Sequence, residues 1–148
     1  MILEEGVYGY SALALGHQFE TAERKITAAQ IDAFATLSWD RYAIHMDDAA
    51  AQARGFPKRV AHGLLILSVI DGLKNTAPAR IDALASLGWT WAFTKPVFTD
   101  DTIRAVFCVA QKRLTSSGKR GVVTLDVEVF NQDGVCVQSG QNRLIFDL

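Results

Sequence analysis

Val60 to Leu73 reads Val-Ala-His-Gly-Leu-Leu-Ile-Leu-Ser-Val-Ile-Asp-Gly-Leu, apolar on nearly every side. A segment like this must be surrounded by the rest of the chain, because no face of it is suited to water. Its length predicts a helix rather than a strand, with Pro57 ahead of it and Gly72 and Asn75 near its end as boundaries. Its most apolar stretch, Leu64 to Ile70, is far too short to span a bilayer. The fold must therefore supply a wrapping for one buried helix.

The second half of the chain supplies that wrapping. Leu87, Trp89, Trp91 and Phe93 recur at every second position, then Ile103, Ala105, Phe107 and Val109, then Val123, Leu125, Val127 and Val129. This is strand periodicity with one face turned inward. Asn131-Gln132-Asp133-Gly134 is a hairpin signal, and Val135, Val137 and Ser139 open a last strand running toward Phe146. Four consecutive strands are expected, as a meander. In the first half, residues 1–15 predict an arm or short strand, and His17 to Ile26 alternates loosely as a strand. Thr27-Ala28-Ala29-Gln30 has the form of a capping box, followed by Ile31, Phe34, Ala35 and Leu37 at helical spacing. That helix should stop near Ser38-Trp39-Asp40. Asp47 to Arg54 is a shorter, alanine-rich helical piece. The class is α+β: one domain, residues 1–148, with an antiparallel sheet wrapped round a long central helix.

Charge excludes some partners. Formal net charge is −1 and no Lys/Arg run exceeds two residues, so nucleic acid is not expected. Met1-Ile2-Leu3-Glu4-Glu5 lacks the basic start of a signal peptide, and a membrane partner is not expected. Cys108 and Cys136 read as free thiols of a reducing compartment, which places the expectation in the cytoplasm. No cysteine–histidine spacing resembles a metal site.

Two segments carry the candidate chemistry. The first is Asp40-Arg41-Tyr42-Ala43-Ile44-His45-Met46-Asp47, and the second is Gly55-Phe56-Pro57-Lys58-Arg59-Val60-Ala61-His62-Gly63-Leu64-Leu65. Together they resemble the signature of the MaoC-like dehydratases, which include the (R)-specific enoyl-CoA hydratases. Asp40, His45 and Asp47 fall on the first family motif. Gly55, Phe56, Val60, His62, Gly63, Leu64 and Leu65 fall on the second. Phe93 to Phe98 and Asp100 to Ile103 look like the family's strand-turn-strand passage, so the likeness covers residues 20 to 146. Tyr42 and Ala43 stand where many members carry Asn-Pro.

The resemblance implies a hotdog fold and a hydratase or dehydratase acting on a 2-enoyl-CoA (3-hydroxyacyl-CoA) thioester. It assigns Asp40 and His45 to water activation and the Gly63 amide to the thioester oxygen. No cofactor is implied beyond the CoA of the substrate. A homodimer or higher homo-oligomer is implied, with the acyl tunnel near the interface. Such chemistry requires a deprotonated water near the β-carbon, a proton for the α-carbon and a donor for the developing enolate.

Plainer readings stand beside these. Asp40 could simply end a helix, His45 and His62 could be structural, and Asp47 has the form of a cap. Trp89 and Trp91 read as core or dimer-face residues. Arg24, Lys58, Arg59, Lys95 and Lys112 read as solvated charges or as contacts for CoA phosphates. Two other functions remain open. Asp71 on the central helix would serve a hotdog thioesterase, and Tyr42 in place of Asn leaves room for a non-catalytic acyl-CoA-binding domain.

Overall fold

The computed structural model describes residues 1–148. In chain order the elements are β1 (Gly6–Tyr8), β2 (Gln18–Glu20), β3 (Arg24–Lys25), α1 (Ala28–Ser38), α2 (Ala43–Met46), α3 (Asp48–Ala53), α4 (Gly63–Lys74), β4 (Ala79–Ile81), β5 (Ala85–Phe93), β6 (Thr102–Leu114), β7 (Arg120–Phe130) and β8 (Cys136–Asp147), with a short 3-10 turn at Tyr10–Ala12. This is the hotdog arrangement: a six-stranded antiparallel sheet curled about α4. None of the helices is long and apolar enough to cross a membrane.

The core follows from the two periodicities. Ile103, Ala105, Phe107 and Val109 of β6 and Leu125, Val127 and Val129 of β7 are buried, and so are Ile66 and Ile70 of α4. Burying each such isoleucine contributes about 1.5–3 kcal/mol. The rings of Phe19 and Phe107 stack at 4.8 Å on neighbouring strands.

The sheet differs from a simple meander in one respect. Its order is β2-β6-β7-β8-β5, so β5 pairs with β8 and lies at the far edge from β6. The chain between β5 and β6 must cross the mouth of the sheet, and there Phe98 bridges Val60 and Val97 accepts from the Ala61 N–H at 2.7 Å. This crossover ties the approach to α4 against the sheet. The expected strand at His17 to Ile26 is two short pieces, β2 and β3, both on β6. The helix expected from Val60 begins at Gly63. Its wrapping is also incomplete, because Leu64, Ser68 and Gly72 form a solvent-facing stripe one turn apart.

The local helix signals act as their chemistry requires. Thr27 and Gln30 form a reciprocal capping box on α1, and the Asp47 carboxylate caps α3 by accepting from the Ala50 N–H. Helix α1 ends on Trp39, whose φ of 64° is left-handed, while its side chain is 87% exposed. Left-handed backbone costs a residue with a Cβ about 1–2 kcal/mol, and glycine avoids this. Replacing Trp39 with Gly should therefore raise stability by about 1 kcal/mol and Tm by about 2–4 °C. A thermal melt with Tm unchanged or lowered would mean that the indole makes a compensating contact.

Candidate active site

Helix α2 is a single turn that was not legible in the chain's periodicity, and it carries His45. The turn is held by backbone pairing, since the Val60 N–H donates to the Ile44 carbonyl at 2.9 Å and Arg59 Nε donates to the His45 carbonyl at 2.6 Å. Arg59 is ion-paired with Asp32 of α1, with its side chain 13% exposed. It is thus neither a solvated charge nor a free phosphate contact. It stitches α1 and α2 to the chain that leads into α4.

The His45 ring is buried, and its Nδ1 lies 2.6 Å from the Val60 carbonyl. A carbonyl can only accept, so Nδ1 carries a proton, and in the neutral ring Nε2 presents a lone pair. That Nε2 lies 4.0 Å from Asp40 Oδ2. The separation is too long for a hydrogen bond and suits one shared water. Asp40 sits in the turn after α1, half-exposed, and its Oδ1 accepts from the Tyr42 N–H at 3.4 Å.

His62 is the N-cap residue of α4, 2% exposed. Its ring stacks on that of His45 with centroids 4.0 Å apart. Its Nε2 donates to the Asp40 carbonyl at 2.8 Å, and its Nδ1 is the one buried side-chain nitrogen or oxygen without a partner. Burial is the main cause that lowers the His62 pKa below its ordinary value of 6.5. The neighbouring His45 and Arg59 lower it further, against the opposing pull of the Asp40 bond.

Gly63 opens α4, so its N–H has no partner within the helix and lies at the positive end of the helix dipole. A Cβ built there would stand 2.5–2.7 Å from the Phe93 ring. Gln138, buried on β8, donates to the Gly63 carbonyl at 3.1 Å and accepts from the Trp91 indole at 2.8 Å. Asp40, His45, His62 and Gly63 all line one cavity of about 440 Å³, whose other walls include Tyr42, Phe56, Leu64, Phe93, Lys95 and Val97. Asp47 and Asp71 do not reach it. Asp47 is used as a cap, and Asp71 is paired with Lys74 at 2.8 Å near the other end of α4. Asp40, His45 and His62 have donor atoms within 4.8 Å of one another, the group with the means to hold a metal ion. Nε2 of His62 is already engaged by the Asp40 carbonyl.

The MaoC like domain, as a family model, matches residues 11–131. The chain belongs to the MaoC-like family. Among curated relatives, the (R)-specific enoyl-CoA hydratase of Aeromonas caviae is 29% identical over 130 residues, covering 88% of this chain and 92% of that one. The mesaconyl-CoA hydratase of Cereibacter sphaeroides is 33% identical over 100 residues, which make up 67% of this MaoC-like chain and 29% of that protein. Among solved structures, a protein named monoamine oxidase regulatory protein from Archaeoglobus superposes with a TM-score of 0.87 at 28% identity, covering 98% of each chain. The matched region of the MaoC-like domain contains every residue of the candidate site except Gln138, which lies beyond it on β8.

The lowered His62 pKa gives a signed prediction. The unfolded chain binds a proton at His62 more readily than the folded one, so stability rises with pH across that window. This contribution is full above about pH 6.5 and is lost as pH falls toward the folded pKa. In denaturant titrations from pH 7.5 to 5, the His62→Gln protein should lose less stability than the wild type. Equal losses would show that His62 titrates in the folded state as it does in the unfolded one.

Proposed function

We propose that this MaoC-like domain is a hydratase/dehydratase for 2-enoyl-CoA thioesters, with Asp40 and His45 activating one water and the Gly63 N–H receiving the thioester oxygen. The observation that carries this reading is the 4.0 Å gap between the bare His45 Nε2 and Asp40 Oδ2, beside the open N-terminus of α4. A water in that gap donates one hydrogen to each group and keeps a lone pair for the substrate. Its oxygen bonds to the β-carbon as one O–H proton passes to the dyad. The π pair moves to the α-carbon and the thioester oxygen, where the Gly63 N–H stabilises the enolate. A proton from the dyad then completes the α-carbon. Proton transfer of this kind is typically worth about 10²–10⁴-fold. The hydratase names of the relatives support the substrate class, and the reaction calls on no cofactor.

The thioesterase alternative loses ground. Asp71 is neutralised by Lys74 and faces a different hollow, so it has no access to a thioester in the main cavity. The subunit is further proposed to work as a homodimer. Strand β5 is an open edge with Leu87 and Phe93 exposed, and the Leu64 stripe of α4 is uncovered. Light scattering should give a mass of at least twice 16.2 kDa. A stable monomer at micromolar concentration would exclude the dimer.

Crotonyl-CoA tests the chemistry. Loss of enoyl absorbance is expected, without release of free thiol. Asp40→Asn and His45→Ala should each lower the rate by at least about 10²-fold while the fold persists, and the double variant should be little worse than the poorer single one. Thiol release, or a normal rate for Asp40→Asn, would refute the assignment.

Gly63 needs a paired test, because alanine there would strike Phe93. In Gly63→Ala/Phe93→Ala the clash is relieved. If the amide serves the oxygen, kcat should stay at least about 10²-fold below that of Phe93→Ala alone. Equal kcat in the two would reduce Gly63 to a packing residue.

A further inference from the structure

His62 lies between the two groups assigned to the water, yet neither the proposed reaction nor the family match gives it a task. Asp40 needs an anchor. It follows a left-handed residue at the end of α1, and its other hydrogen bonds are local: its N–H to Ser38 Oγ at 3.2 Å, and its carboxylate from the Tyr42 N–H at 3.4 Å. Neither bond reaches another part of the molecule. The His62 Nε2–H bond to the Asp40 carbonyl spans twenty-two positions of sequence and comes from the rigid cap of α4. The same ring stacks on His45 at an interplanar angle of 29°.

We infer that His62 is the positioning residue of the site, fixing the Asp40 main chain to the start of α4 so that its carboxylate holds the distance to His45 that one water can bridge. The inference rests on the hydratase reading for its catalytic consequence, but its mechanical part does not. Three observations support a neutral, donating ring in place of an acid or base. Nε2 faces a carbonyl and must carry the proton. Nδ1 is buried and has no acidic or basic side chain of the protein bonded to it that would pass it a proton. A charged ring would also sit 4.0 Å from His45. An error of 1 Å in placing a reacting group can cost about 10²-fold.

Two substitutions separate positioning from packing. His62→Gln places an amide N–H near the position of Nε2 and keeps the bond. His62→Met fills similar space and donates nothing. In the free protein, the ¹⁵N order parameter of the Asp40 amide should drop from the rigid range near about 0.85 to below about 0.7 in His62→Met and return in His62→Gln. With crotonyl-CoA, His62→Met should lower kcat by about 10–100-fold with KM within about threefold, and His62→Gln should recover most of it. An Asp40 amide as rigid in His62→Met as in wild type overturns the inference, whatever the reaction proves to be. So does a kcat loss that is equal in both variants, or one that disappears when corrected for the folded fraction. A wild-type protein that leaves crotonyl-CoA untouched refutes the hydratase reading instead, and the order parameters still decide whether His62 holds Asp40.

Discussion

The structure depends on burying one apolar helix inside one curled sheet. Ile66 and Ile70 of α4 have no exposed surface, and neither do Ile103 and Phe107 of β6 or Leu125 of β7. Hydrophobic burial is non-directional and by itself would tolerate several placements of α4. The direction comes from polar bonds at the two ends. At the C-terminal end, buried Lys74 donates to Asn142 of β8 and pairs with Asp71. At the N-terminal end, Gln138 of the same strand holds the Gly63 carbonyl. Burial therefore sets the depth of the helix, and two side chains of β8 set its axial position.

That axial position determines what the site can contain. Because α4 starts at the wall of the cavity, Gly63 at its first position faces that cavity. The chain approaching it, Arg59 to His62, is extended and supplies both faces of the site. Its carbonyl at Val60 selects the tautomer of His45, its Arg59 side chain fixes the His45 backbone, and its His62 ring meets Asp40. Two motifs separated along the chain are thus joined by side-chain hydrogen bonds to main-chain carbonyls. Phe93 contributes from β5 by closing the space over Gly63. Side chains of ordinary composition make a polarised cleft here because backbone groups of one short segment orient them.

Much of this architecture was legible in the order of the residues. Helix α4, the four long strands, the capping box at Thr27 and the Asp47 cap all follow from local spacing and local hydrogen-bond chemistry. Asp40, His45 and Gly63 came from the resemblance of two motifs, since a separation of five residues does not place two side chains on one helical face. Other features had no local signature. Arg59 looked like any surface cation beside Lys58, and its pairing with Asp32 depends on α1 lying alongside. Gln138 interrupts an alternating strand in the way many polar residues do. The one-turn helix at His45 is held from outside by Val60 and Arg59, so its own residues do not declare it.

The sequence by itself determined the two longer helices and the four long strands, and the buried faces of β6 and β7, because side-chain periodicity and end-capping act within a few residues of one another; the face of β5 that its alternation turned inward is instead largely exposed. It also determined the residue types that the chemistry requires. Only the tertiary structure decided that β5 pairs with β8 rather than β6, that the Asp40–His45 gap is 4.0 Å, and that His62 turns its Nε2 to a carbonyl twenty-two residues earlier. The β5–β8 pairing and the His62 bond join distant parts of the chain through backbone groups that every residue carries alike. The order of side chains therefore holds no record of them until the chain has closed on itself.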